Sequence, residues 1–178
     1  MSITERLLVG PDAIDSLNSI ASLRLDIFRE FPYLYYGRRE DELVYLRLYA
    51  DSPQAFIITA TDSATIVGAA TCIPLRHEQQ ELIDPFTNSP YPVDEIFYVG
   101  ELLFYPEYRK QGLGLHMVAQ VEEHVRSLGN YRYLTCATVQ RPDDHPLRPH
   151  DYVPITRFLA RAGFVFLPGV TTHFSWLE

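Results

Sequence analysis

Cysteine is nearly absent: Cys72 and Cys136 are the only two in 178 residues. Both lie in apolar runs and read as buried small residues, because two thiols are too few for a cysteine-based zinc site or a disulfide framework. No metal is implied. Long hydrophobic runs are missing too, since nowhere do 18 apolar residues follow one another, and this excludes a membrane-spanning helix. Met1 to Gly10 lacks the basic-then-apolar order of a secretory signal, so the expected location is the cytoplasm. Positive charge is scarce, with 15 Lys and Arg against 23 Asp and Glu and a net charge of −8. That balance, with a pI near 5.2, speaks against a general binder of nucleic acid or of an anionic membrane. Repeats and domain linkers are also absent, and residues 1–178 read as a single domain.

What is present is apolar and aromatic. Hydrophobic residues make up 47% of the chain, with 10 Phe and 12 Tyr, a composition that folds into a packed core. Ile3 to Val9 reads as a first strand closed by Gly10-Pro11, with Asp12 placed to cap the next helix. Ile14, Leu17, Ala21, Leu25 and Phe28 recur at helical spacing up to Phe31-Pro32. After an aromatic loop from Tyr33 to Gly37, a second helix turns Leu43, Leu46 and Tyr49 or Ala50 inward.

Ala55 to Ala60 and Thr65 to Ile73 form an antiparallel hairpin, in which Gly68 marks a bulge or a close backbone approach. Pro74 to Asp94 reads as a surface lid with one short helix around Glu78 to Ile83. Glu95 to Tyr105 is a strand, a helix follows, and Gly129 suits its left-handed cap. Leu134 to Val139 then returns parallel to the earlier strand, as a β-α-β crossover requires. A stiff proline loop leads to a helix from Val153 to Ala162, and Phe164 to Trp176 supplies one or two final strands.

The stretch around which the chain is organised runs from Glu101 to Leu115. An apolar strand passes through a proline turn to Gly112 and Gly114, and Gly114, Met117, Val121, Val125 and Leu128 then keep helical spacing. A helix starting at glycines offers unpaired N–H groups and the positive end of its dipole to an anion such as phosphate. Two phosphate motifs are excluded. A dinucleotide fingerprint needs a glycine where Met117 stands, and no Gly-Lys-Ser/Thr follows for a P-loop.

Arg109-x-x-Gly112-x-Gly114 resembles the pyrophosphate-binding motif of the GNAT acyltransferase superfamily. The order of elements and the Phe158-Leu159-Ala160-Arg161-Ala162-Gly163-Phe164 ending are similar to that superfamily as well. Other stretches, such as Phe31-Pro32-Tyr33-Leu34-Tyr35, resemble an uncharacterised bacterial branch of it. The resemblance implies an α/β (α+β) GNAT fold: a mixed, mostly antiparallel sheet with helices on both faces, whose parallel fourth and fifth strands splay apart. It also implies acetyl-CoA or another acyl-CoA as co-substrate. Leu103, Phe104 and Tyr105 would meet the pantetheine arm, and Arg109, Lys110, Gln111, Gly112, Leu113, Gly114 and Leu115 the pyrophosphate. Gly100 fits a bulge that starts the splay.

The implied reaction is N-acyl transfer to a primary amine in a ternary complex. It needs a neutral amine, a held oxyanion and a proton for the departing thiolate. Glu101 stands where many relatives carry a carboxylate and is the candidate base. Relatives often place a tyrosine where Leu159 stands, so the candidate donor is Tyr152, reaching in from the helix start, or water. A CoA-binding sensor or assembly module without transferase chemistry is the alternative. Acidic residues near the expected acceptor walls (Glu78, Glu81, Asp84, Asp94, Glu95, Asp143, Asp144 and Asp151) favour a small cationic amine. The same reading leaves a homodimer open.

Overall fold

The computed structural model describes residues 3–176. Its frame is a five-stranded sheet in sequence order, made of Ile3–Val9 (β1), Phe56–Asp62 (β2), Thr65–Pro74 (β3), Ile96–Phe104 (β4) and Tyr133–Thr135 (β5). The first three junctions are antiparallel and the last is parallel. The helices are Leu17–Ile27 (α1), Arg39–Asp51 (α2), Gln80–Thr87 (α3), Leu113–Leu128 (α4) and Ile155–Arg161 (α5). No helix among the described residues is long and apolar enough to cross a membrane.

Alternation along the strands builds two cores. Ile57, Ala69, Ile73, Ile96 and Tyr98 pack with α1, α2 and α3, while Phe56, Ile58, Ala70, Phe97 and Val99 pack with α4. In α4, Met117, Val118, Val121 and Val125 are buried, and Gly129 ends the helix at φ 75°, as its missing Cβ allows. Gly68 sits beside a register shift in the hairpin, and a Cβ there would overlap the ring of Phe104. Bulge and close approach therefore coincide.

Five expectations change. The turn from Gly10 to Ser16 is a 3-10 helix with no side-chain cap, so Asp12 caps nothing and α1 begins at Leu17. Its inner face holds Ile20, Leu23, Arg24 and Ile27 with Leu17 and Ala21, whereas Ile14 is exposed and Leu25 only half-buried. The shift of phase puts an arginine inside. The segment from Pro74 to Asp94 is no lid: Leu75, Glu78, Leu82 and Phe86 are buried, the last two one helical turn apart on α3.

The parallel ladder holds only three pairs, Ile96 with Tyr133, Phe97 with Leu134 and Tyr98 with Thr135, so the strand expected to Val139 stops at Thr135. No strand forms between Phe164 and Trp176, and among the described residues β5 has no outer neighbour. Without that neighbour the backbone from Cys136 onward lacks a ladder to join. Pro142, Pro146 and Pro149 then remove donors.

Candidate active site

The site begins with one extra residue. Thr71 pairs with Glu101 and Cys72 with Val99, which leaves Gly100 as a bulge in β4. A bulge reverses the alternation beyond it. Before the bulge Ile96 and Tyr98 face the α1 side; after it Leu103 does so, and Phe104 faces α4. Glu101 is thereby turned toward α1, where it meets Arg24. Glycine is required at the bulge because a Cβ would overlap the Tyr49 hydroxyl.

Arg24 is held between two carboxylates: its Nε donates to Glu42 and its Nη1 to Glu101. The Thr71 hydroxyl donates to the other Glu101 oxygen and accepts from the Glu101 amide at 3.2 Å. Tyr35 donates to Glu42 at 2.7 Å, and the guanidinium lies 5.0 Å from the Phe28 ring centroid and 4.5 Å from that of Tyr45. All three charged residues are buried, Glu42 with 1% of its surface exposed. Desolvating charges on this scale demands pairing, and the pairing is incomplete, since one cation faces two anions. Sequence reasoning missed both Arg24 and Glu42. Arg24 fell one position off the expected helix face, and Glu42 sits in the charged run Arg38-Arg39-Glu40-Asp41-Glu42, which reads as a solvated surface.

Beyond Tyr98 and Thr135 the parallel strands part, and a cleft of about 1630 Å³ opens along this fork. Glu101, Tyr33, Tyr98, Cys136 and Leu159 line it. Burial holds the Tyr33 phenol above its ordinary value, with Cys136 and Tyr152 close by adding to the shift. Burial also pushes the Cys136 thiol up to about 11. Tyr152 itself lies outside the lining, edge-on to Phe31 at 4.7 Å with the Arg148 guanidinium 5.3 Å from its ring. Its phenol is raised by burial, against the opposing pull of Arg148. It precedes α5 and does not enter the cleft from it.

At the far end of β4 the chain turns into α4. Lys110 and Gly112 both have left-handed backbone, φ 62° and 87°, a geometry that gathers amides into an anion-binding concavity. No side chain caps α4, so the first-turn amides of Leu113, Gly114 and Leu115 lack intrahelical partners. The two glycines have different reasons: a Cβ on Gly112 meets no protein atom within 4 Å, while one on Gly114 would press on the Phe158 ring at 3.2 Å.

Arg109 donates to the Phe104 carbonyl at 2.7 Å and to Glu30 at 2.8 Å, so its guanidinium braces the turn. Gln111 donates to the Glu107 carbonyl at 2.7 Å. Leu103 and Phe104 bury their side chains in opposite cores, and Tyr105 donates to Asp26 at 3.0 Å. These residues, from Leu103 to Leu115, lie beyond the cleft lining. No trio of His, Cys, Asp or Glu among the described residues is arranged to hold a metal ion.

A mixed sheet forked between parallel strands, with an uncapped glycine turn where the longer strand ends, defines a class of ligand-binding α/β domain. The model of the Acetyltransferase (GNAT) family matches residues 19–147, and the chain belongs to that family. No curated protein matches it. Among solved structures, a possible acetyltransferase from Clostridium difficile 630 is similar at TM-score 0.64 and 9% identity, covering 100% of both chains. An aminoglycoside acetyltransferase from an uncultured soil metagenomic sample, in complex with trehalose, gives TM-score 0.61 at 15% identity over 99% of this chain and 97% of that one. Aminoglycoside N-acetyltransferase AAC(6')-Iy in complex with CoA gives 0.57 at 13% identity over 99% and 93%. At these identities the likeness speaks for the fold.

Proposed function

We propose that this chain transfers an acetyl group from acetyl-CoA directly to a primary amine. The observation that carries the reading is the fork itself. The Gly100 bulge sets Glu101 beside the edge that β4 loses to β5, and the same strand leads into an uncapped glycine turn. An unpaired strand edge suits the amides of a pantetheine arm, and the turn suits a pyrophosphate. Family membership supports acetyl transfer in general, and two structural neighbours are named as aminoglycoside acetyltransferases, which supports a small amine as acceptor. Since the donor is a cytoplasmic metabolite, the reading places the chain in the cytoplasm.

The amine nitrogen attacks the thioester carbonyl, a β4 amide beyond the bulge holds the oxyanion, and the C–S bond breaks to release CoA thiolate. Both Glu101 oxygens already accept hydrogen bonds, from Arg24 and Thr71. Glu101 therefore takes the amine proton through water. The thiolate is protonated by Tyr33, which lines the cleft, or by water; the Tyr33 phenol is held above its ordinary value and stays protonated at neutral pH.

Calorimetry tests the first half: acetyl-CoA is expected to bind, and a folded protein that binds neither it nor CoA at millimolar concentration overturns the proposal. Glu101→Gln tests the second half. Turnover should fall about a hundredfold with CoA affinity intact, and an unchanged kcat would make Glu101 purely structural. Leu159 in the cleft lining favours a second reading, a CoA-binding module without chemistry. Binding without thiol release on any amine would select it.

A further inference from the structure

We infer that the acceptor is a monoamine with a flat apolar body, and that polycations are poor substrates. The inference rests on the transferase reading and concerns the same cleft. None of the eight acids expected to attract a cation lines the cleft. Its lining carries four carboxylates, Asp41, Glu42, Glu101 and Glu122, against four arginines, Arg24, Arg126, Arg132 and Arg141. The cleft as a whole is neutral.

Each of those carboxylates is also engaged by an arginine: Asp41 by Arg38 at 2.8 Å, Glu122 by Arg126 at 2.6 Å, and Glu42 and Glu101 both by Arg24. Arg24 answers two carboxylates with one positive charge, which leaves one negative charge uncompensated in a buried position. A single ammonium supplies what is missing. A second positive charge finds no carboxylate in the lining without its arginine and would approach Arg141, fixed over the same wall by the carbonyls of Pro32 and Tyr33 at 2.8 and 3.1 Å.

Around that charge the wall is aromatic. Phe28, Tyr33 and Tyr45 stand beside Arg24, and Phe86, Tyr91 and Tyr133 continue the lining, with Tyr91 edge-on to Tyr133 at 5.1 Å. Such faces attract a cation and bury a planar apolar group.

The test measures thiol release from acetyl-CoA with 2-phenylethylamine, spermidine and kanamycin, alongside calorimetry of acetyl-CoA alone. The expected result is a kcat/KM for 2-phenylethylamine roughly tenfold or more above the other two. Tyr91→Ala should raise its KM about tenfold and leave acetyl-CoA affinity unchanged, with Tyr91→Phe restoring it. A higher kcat/KM for spermidine or kanamycin overturns the inference and leaves the transferase standing, as does turnover on none of the three while acetyl-CoA binds. Failure of acetyl-CoA to bind removes the transferase reading and this inference with it.

Discussion

The chain up to α4 and the chain after it are built differently. Before Gly129 every strand and long helix contributes to one of two cores; after Val125 no described residue is buried. Val165 and Phe166 are 79% and 69% exposed, and α5 buries nothing. The first region holds β4, the bulge and the glycine turn in a frame that is complete by itself. The second supplies the far wall of the cleft, through Cys136, Leu159 and their neighbours, and packs on the two cores only through partly buried residues such as Cys136, Leu167 and Val170. A fully buried frame thus faces a wall that is only partly buried.

Substitution inside the frame should have the largest effect. Leu23 is fully buried, so Leu23→Ala should lower stability by about 3 kcal/mol in a denaturant titration. A loss within about 0.5 kcal/mol would show that the frame is not the stable half.

Thiol chemistry sharpens the contrast. Cys72 is fully buried in the frame and should not react in the folded protein, whereas Cys136 lines the cleft. Its thiol is raised by burial from 9.0 to about 11, so below that value the thiolate fraction climbs with pH. At pH 8 iodoacetamide should therefore modify it about a hundredfold more slowly than an unperturbed thiol. Acetyl-CoA should slow it further. A fast reaction, or one indifferent to acetyl-CoA, would take Cys136 out of the cleft.

Gly112→Ala probes the glycine turn inside the first region. A methyl group there meets no protein atom but must adopt φ 87°, a strain of roughly 1 kcal/mol. CoA affinity should fall about tenfold, and the melting transition by no more than about 4 °C, the shift that the strain alone produces. Equal affinity would remove the turn from the pyrophosphate site. The smallest effect is expected at Phe166→Ala, within about 0.5 kcal/mol of the parent in the same titration. A loss of 2 kcal/mol there would mean that the second region is anchored after all.

The elements legible in advance were those that local rules govern. Periodicity placed β1, the hairpin, β4 and α4 within a residue or two, and the two glycines with their strand marked the turn. Missing were the parts set by partners distant in the chain: the phase of α1, the early end of β5 and the burial of α3. Catalytic expectations divided the same way. Glu101 was singled out because many relatives carry a carboxylate at that place on the strand, while Arg24 and Glu42, 77 and 59 positions away by subtraction of residue numbers, gave no local sign.

The sequence by itself determined an α/β fold with a GNAT-like order of elements and a glycine turn after its fourth strand. Those properties follow from side-chain period, glycine freedom and capping, all of which act over a few residues. Only the tertiary structure decided where Glu101 points, because one bulged glycine reverses the face of everything after it. It alone also decided the charge of the cleft, since the acids that dominate the composition lie elsewhere and those that line it are already paired. Electrostatics depends on distance through space, and that distance is a property of the fold.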